Sequence, residues 1–490
     1  MQSRRLVVIG AGISGLAAAH AAARIAAERE LDLEVLVLEK ESQAGGKALS
    51  LQREGWLIEA GPGTFLDNEP EFQELLAEAG LADERITADD ASKHRFLYRG
   101  QQLCEIPTNP YRFATSGLLG PLGLLRMGME PFIPKRASGD HGQGGDESIW
   151  DFAARRLGRQ AADRLIAPMI LGIYAGDARQ LSLPASLPRL ATLEEEHGSL
   201  IKGMIAKRRA TPERGLSAGP SGEMSSFRGG MQSLPRALAS NPRIQVRYGA
   251  MVESLQGAQA PHHADAGGFH LAIGGDRESL MADAVIVAGE AWAAAELLQD
   301  VAPISARSLA QIEMPHVAVV ALGYDGDALS RVPPGFGVLV PRGQGTRTLG
   351  CVWDSYLFPG RSPKGCLLVR AMLGGSVDPD VSGLSDDELS ALARRDVAAM
   401  LGLDREPVFE ERVRWSRAIP QYDLDHSIRV GAIRAELATL PGLFLAGNSL
   451  EGVSFARSGA TGRRRGIEAA QWLARAPESR GSSPQPQGDI

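Results

Sequence analysis

The chain has 490 residues, 44% of them apolar and 23% charged, and a formal net charge of −7. That is the composition of a soluble globular protein of two or three domains, and its acidic balance argues against a nucleic-acid partner. Three cysteines, Cys104, Cys351 and Cys366, lack C-x-x-C spacing, which suggests neither a zinc site nor a disulfide framework and fits a reducing cytoplasm.

Taken in chain order, Leu6–Ile9 reads as a short buried strand. Gly10-Ala11-Gly12-Ile13-Ser14-Gly15 follows at once, then an alanine-rich helix to about Glu28 and a second strand, Glu34–Leu38, closed by Glu39. With the first strand starting so near Met1, no signal peptide is expected. This order predicts a dinucleotide site. Gly10 permits the tight turn, Gly12 lets a pyrophosphate approach the backbone, and Gly15 lets helix and strand pack closely. Ile13 and Ser14 open the helix, whose free N–H groups suit phosphates. Glu39 can accept hydrogen bonds from ribose hydroxyls.

Between Arg112 and Arg126 lies the uncharged stretch Phe113–Leu125. It falls short of the roughly 20 apolar residues of a spanning helix. Two readings stay open here: a buried loop and helix, or an interfacial patch running from Leu118 through Leu122 to Phe132 and Ile133. Ala137–Glu147 and Thr211–Gly222 are polar and glycine-rich, and Pro477–Ile490 reads as a disordered tail. Ser148 caps a predicted amphipathic helix bearing Ile149, Phe152, Ala153 and Leu157. Met281–Ala288, Ala318–Gly323, Gly337–Val340 and Leu367–Ala371 read as strands. No internal repeat is found. The last unit is a strand at Gly442–Gly447, a glycine-bearing loop and a helix to about Ala474. A cofactor as long as FAD needs a second, distant grip, and Leu443–Ser454 suits it. A helix starting near Gly452 would aim its N-terminal amides at the pyrimidine edge of a flavin and stabilise the reduced ring's negative charge.

Several segments together resemble one family, the oxygen-dependent protoporphyrinogen oxidases of the flavin amine oxidase superfamily. They are Val8–Gly15 with Glu39, QAGGK at Gln43–Lys47, GWLIEAGPGTFL at Gly55–Leu66, SKHRFLY at Ser92–Tyr98, GIYAGD at Gly172–Asp177 and FRGGMQSL at Phe227–Leu234. Toward the C-terminus come GFGVLVP, LGCVWDS, FPGRSP and MLGG between Gly335 and Gly375, then IPQYDL at Ile419–Leu424 and AGNSLEGVS. The resemblance implies an α/β chain, α+β overall. It has a discontinuous Rossmann-like FAD domain (1–90, 222–300, 428–476), a mixed-sheet substrate domain (91–98, 301–427) and a helical membrane-facing domain (99–215). To the cofactor set it adds Lys47, Gly61, Pro62, Gly63, Val252, Gly447, Gly452, Val453 and Ser454.

The implied reaction takes six electrons from protoporphyrinogen IX in three steps, with flavin as hydride acceptor and oxygen yielding hydrogen peroxide. No protein general base is nominated. Arg95 matches the propionate-binding arginine. Leu339, Val352 and Met372 match the residues that sandwich the rings, and Gly172 matches a backbone position beside the pyrroles. FAD is expected to be non-covalent, because no cysteine or histidine stands in an attachment motif. A cytoplasmic enzyme held peripherally on the inner membrane is implied, and a homodimer or a haem-pathway ferrochelatase partner is allowed. Two features depart from the family. Gly63 stands where Asn is frequent, removing a side-chain amide. Gly462-Arg463-Arg464-Arg465-Gly466 forms a basic cluster that reads as a solvated face or as a contact for anionic lipid. Competing readings are a coproporphyrinogen oxidase, a carotenoid desaturase or amine oxidase, and a non-catalytic FAD scaffold.

Overall fold

Strands Arg4–Ile9 and Leu33–Leu38 each end in four consecutive buried residues. A strand shielded on both faces belongs inside a parallel sheet covered by helices. The computed structural model describes residues 3–136, 146–210, 222–257, 268–274 and 278–475. The predicted low-order segments at Ala137–Glu147 and Thr211–Gly222 lie almost wholly outside the described residues, and the tail Pro477–Ile490 lies wholly outside them.

The parallel sheet has five strands in the order Gln245–Arg247, Leu33–Leu38, Arg4–Ile9, Ala284–Val287, Leu443–Leu445. The first strand is central, and its neighbours come from both ends of the chain. The run Met281–Ala288 is not one strand. It breaks at Asp283 into Glu278–Ala282 and Ala284–Val287, which belong to different sheets. The cause lies on the neighbouring strand: the Asp283 carboxylate accepts the Arg5 N–H at 2.7 Å, and the Asp283 N–H donates to the Arg5 carbonyl at 2.9 Å.

Helix Ile13–Glu28 lies against the C-terminal helix Phe455–Arg475 with backbone touching backbone. A Cβ added at Gly462 or Gly466 would overlap the carbonyl of Ser14 or Ala18, so only glycine permits this approach. The Ser14 hydroxyl donates to the Ser458 carbonyl at 3.1 Å across the same contact. The basic cluster on this helix is not a free solvated face, because its arginines pair with acids. Arg463 is 7% exposed and pairs with Glu74 at 2.9 Å and Glu78 at 2.8 Å on helix Pro70–Glu78. Arg464 faces Glu71 and Glu451, each at 3.6 Å.

A second sheet has seven strands in the order Phe409–Trp415, Val317–Tyr324, Leu367–Gly374, Thr348–Val352, Gly337–Leu339, Arg95–Arg99, Gln102–Glu105. It is antiparallel except where Gly337–Leu339 runs parallel to Arg95–Arg99. Gln102–Glu105, which the sequence placed in the helical segment, is the edge strand of this sheet. Helix Asp386–Leu401 covers one face, joining Val320, Leu322, Val369 and Ala371 in a core with Leu389, Ala393 and Val397. The other face meets the parallel-sheet unit, where Trp56 stacks on Phe409 with ring centroids 5.2 Å apart.

The helical segment has its own core around Ile149, Phe152, Ile170, Tyr174 and Leu183. Ser148 caps helix Ile149–Arg156 by accepting the Asp151 N–H. Arg156 and Glu130, both fully buried, form an ion pair there, and Glu130 also accepts from the Ser199 hydroxyl and the N–H of Leu200. No described helix is long and apolar enough to cross a membrane.

The helix contact yields a test. Gly462→Val forces a branched side chain into the Ser14 carbonyl, and overpacking of this kind costs about 1–3 kcal/mol. The thermal unfolding midpoint should fall by several degrees; an unchanged midpoint would show that the two helices can part at no cost.

Candidate cofactor and substrate site

The C-terminal edge of an open parallel sheet, where strand order reverses, is the usual place for a ligand. Here the edge carries the glycine turn. Gly10 has φ +105°, and its N–H donates to the Leu38 carbonyl at 2.8 Å. A Cβ at Gly15 would overlap the Gly10 carbonyl, whereas one at Gly12 would meet no atom within 4 Å. Gly15 therefore closes the turn, and Gly12 borders open space. Helix Ile13–Glu28 has no side-chain cap and no acid in its first turn, which leaves the N–H groups near Ile13 and Ser14 to an outside anion.

Glu39, 7% exposed, accepts from the Ala11 N–H at 2.6 Å and the Glu41 N–H at 2.9 Å. It thus braces the glycine turn as well as ending the second strand. The Glu39 carbonyl accepts from Ala250 at 2.8 Å, which draws Val252, at the head of strand Val252–Gly257, toward the same edge. Lys47 pairs with Glu290 at 2.6 Å and donates to the Ala418 carbonyl at 2.5 Å. Burial lowers its pKa, with the Glu290 carboxylate acting against that shift. Gly61 touches the Lys47 carbonyl so closely that a Cβ would overlap it. At the fourth strand the Ala446 N–H donates to the Val287 carbonyl at 2.9 Å, setting Gly447 beside the Gly289 carbonyl. The terminal helix starts at Phe455, slightly later than expected, so Gly452, Val453 and Ser454 form the loop leading into it. The open face of Gly12, the uncapped helix, the Glu39 carboxylate and the Lys47 cation fit a long anionic dinucleotide.

The seven-stranded sheet builds the second half. In its register Arg95, Gly337, Val352 and Arg370 form one row, and Leu97, Leu339, Gly350 and Met372 form the next on the same face. Period-two alternation puts their side chains on the side away from helix Asp386–Leu401. The predicted substrate residues Arg95, Leu339, Val352 and Met372 thus share one surface. Gly172 joins them, because a Cβ there would overlap Leu339 Cδ2. It lies in the last turn of helix Ala167–Tyr174, which ends at Ala175 in the left-handed conformation, where helical carbonyls run out of internal donors. Arg95 is half-buried, with its guanidinium 5.7 Å from the Phe336 ring centroid. Among the described residues no carboxylate pairs with it. Burial lowers its pKa.

Sequence reasoning missed the groups that join the two halves. Glu290 is the counter-charge of Lys47. Four buried charges, Glu59, Asp354, Arg361 and Arg370, lie between the sheets, each no more than 5% exposed. Asp354 and Arg370 form a bidentate pair at 2.5 and 2.9 Å. Arg361 stands 3.5 Å from Glu59, which also accepts from the Ser50 hydroxyl and the Met231 N–H. Gly63 does not leave a gap where the family's amide would stand: the Arg370 guanidinium fills that space. The available signal was a lone arginine inside the apolar strand LLVRAMLG.

Residues 13–471 match the model of one family, flavin containing amine oxidoreductase. The chain is 30% identical over 460 residues to the coproporphyrinogen III oxidase of Bacillus subtilis (strain 168), covering 92% of this chain and 94% of that one. It is 31% identical over 481 residues to the chloroplastic/mitochondrial protoporphyrinogen oxidase 2 of Arabidopsis thaliana, covering 94% and 93%. Among solved structures, a protoporphyrinogen oxidase candidate from Exiguobacterium sp. 255-15 superposes with a TM-score of 0.79 at 24% identity, covering 96% of this chain and 99% of that one. The cyclohexylamine oxidase of Brevibacterium oxydans IH-35A shares the fold at a TM-score of 0.67 and 15% identity, covering 97% and 100%.

Glu39 offers the direct test of the cofactor end. Glu39→Ala removes a charged acceptor, a loss of about 1.5–3 kcal/mol. The dissociation constant of FAD, measured by fluorescence titration, should rise about ten- to a hundredfold. An unchanged constant would leave Glu39 as a brace of the turn alone.

Proposed function

We propose, from the premise that the chain belongs to the flavin containing amine oxidoreductase family, that it oxidises protoporphyrinogen IX to protoporphyrin IX with FAD as cofactor and oxygen as acceptor. The observation that carries the substrate class is the sheet face. One half-buried guanidinium without a carboxylate partner stands beside an apolar wall of Leu339, Val352 and Met372. A flat, vinyl-bearing macrocycle needs such a wall, and a propionate needs such a cation.

Bound FAD supplies the hydride acceptor, and three oxygen molecules take up the six electrons and six protons as three hydrogen peroxides. The chain's own residues bind and orient. Gly12 and the uncapped helix behind it receive the pyrophosphate, Glu39 the adenosine ribose, and Lys47 with Glu290 lines the path between the two sheets. Arg95 holds a propionate, which fixes the macrocycle in its plane and turns an encounter into a positioned reaction. Gly172 lets Leu339 pack against the last helical turn, so the end of that helix borders the same apolar wall. No carboxylate or imidazole of the site is assigned a proton.

A coproporphyrinogen is the second reading, favoured by the relative of that name in Bacillus subtilis. It carries four carboxylates. The two rows of the sheet face offer Arg95 alone as a free cation, since Arg370 is neutralised by Asp354, and this supports the dicarboxylate substrate. Porphyrin fluorescence formed from proto- and coproporphyrinogen separates the two.

We also propose that the helical segment rests on a membrane surface. Leu122 and Phe132 are each 82% exposed and Leu125 63%, whereas Leu118 and Leu119 are buried. The patch is therefore the outer side of helix Pro121–Gly128 and the turn after it, not the whole apolar stretch.

Two measurements follow. Arg95→Ala should raise KM for protoporphyrinogen by about 1.5–3 kcal/mol in binding terms with a smaller change in kcat, because propionate binding is felt in ground and transition states alike. A wild-type KM would return Arg95 to an ordinary surface charge. In liposome flotation the wild type should float and a Leu122→Asp, Phe132→Asp variant should not; equal flotation of the two would dismiss the patch. Leu118 is unsuitable for this test because it is part of the core.

A further inference from the structure

The face that carries the substrate wall holds a second arginine with a different task. Arg370 lies opposite Val352 in the sheet register and is 5% exposed. Its Nε and Nη2 donate to Asp354 at 2.5 and 2.9 Å. Its Nη1 donates to the Glu59 carbonyl at 2.8 Å and reaches the Gly61 carbonyl at 3.4 Å. One planar guanidinium thus ties the end of strand Trp56–Glu59, and the turn that follows it, to the substrate sheet. Glycine at position 63 leaves room for this guanidinium, because a Cβ there would overlap Nη2 of Arg370 and force it to shift. A side-chain amide at position 63 and the Arg370 guanidinium would compete for the same space.

The stacked Trp56 and Phe409 and the apolar contacts of Ile58, Ala321 and Leu368 already join the two units here. A buried ion pair is weak evidence for stability, since apolar residues of similar volume serve as well. What an arginine adds is a rigid fork that fixes the direction of every group it touches.

We propose that Arg370, locked by Asp354, is a positioning residue for the cofactor: through the carbonyls of Glu59 and Gly61 it holds the Gly61–Pro62–Gly63 turn in its FAD-binding conformation, in the space a residue-63 side chain would otherwise take. This rests on the reading of that turn and of the Gly10–Gly15 turn as the FAD site.

The test follows release of FAD from the purified holoprotein by the rise in flavin fluorescence, well below each variant's melting midpoint. Asp354→Leu with Arg370→Met removes both charges at similar volume, so no unpaired charge is left buried. The proposal expects this double variant to release FAD at least tenfold faster from the folded state. Gly63→Asn alone should accelerate release to a similar degree, because the new side chain displaces the guanidinium. Added to the double variant it should accelerate release little further. A lowered midpoint with a wild-type release rate would make the pair a structural brace and overturn the proposal, as would a Gly63→Asn effect that adds in full. Gly12→Asp separates the two levels. It sets a carboxylate in the open space of the glycine turn and should speed release whatever Arg370 does. If it has no effect, the cofactor reading itself fails, and the proposal with it.

Discussion

The helix that opens at the glycine turn is held by one contact, its backbone-to-backbone packing on the last helix. Gly462 and Gly466 sit on the carbonyls of Ser14 and Ala18 because neither has a Cβ. The contact fastens the C-terminal helix to the helix that begins at the glycine turn. The Ser14 hydroxyl, at the mouth of that turn, is tied to the Ser458 carbonyl across it. Arg463, which is set between these glycines in sequence, is drawn inward by Glu74 and Glu78. Its charge fastens helix Pro70–Glu78 to the same bundle. A cluster that looks basic in sequence is paired in space, and the acids that draw Arg463 inward come from almost four hundred residues earlier in the chain.

The boundary between the parallel sheet and the seven-stranded sheet shows a division of labour among charges. Glu59, Asp354, Arg361 and Arg370 are buried, and each has a partner of opposite charge or a backbone group to meet it. Burial alone would pull the Arg370 pKa down, yet Asp354 and Glu59 carry it above that of an ordinary arginine. Arg95, in the same row of the same sheet, has burial without a partner, and its pKa falls. A desolvated charge left unpaired by the protein is costly unless a ligand supplies the counter-charge. On this face Arg370 is thus a paired charge and Arg95 a half-buried one with no carboxylate partner among the described residues.

The helical segment follows the same logic at its surface. Its apolar residues fall into an inner set around Ile149, Phe152 and Tyr174 and an outer set with Leu122, Leu125 and Phe132. The inner set is anchored by Arg156 and Glu130, a fully buried pair whose carboxylate also collects the Ser199 hydroxyl. The outer set has nothing described to cover it.

By itself the sequence determined what depends on neighbours along the chain. The strand–turn–helix–strand–acid order from Leu6 to Glu39, the strands read at Ala318–Gly323 and Leu367–Ala371, which extend to Val317–Tyr324 and Leu367–Gly374, the Ser148 cap and the lack of a spanning helix among the described residues all follow from local periodicity, glycine geometry and length. The break at Asp283 was not legible, because its cause is Arg5 on a neighbouring strand. Tertiary structure alone decided three further matters: which of Leu118 and Leu122 is inside, what neutralises Arg463 of the last helix, and what occupies the space beside Gly63. In each case the deciding atom belongs to a residue distant in sequence. Register and helix packing set such approaches, and no local pattern encodes them.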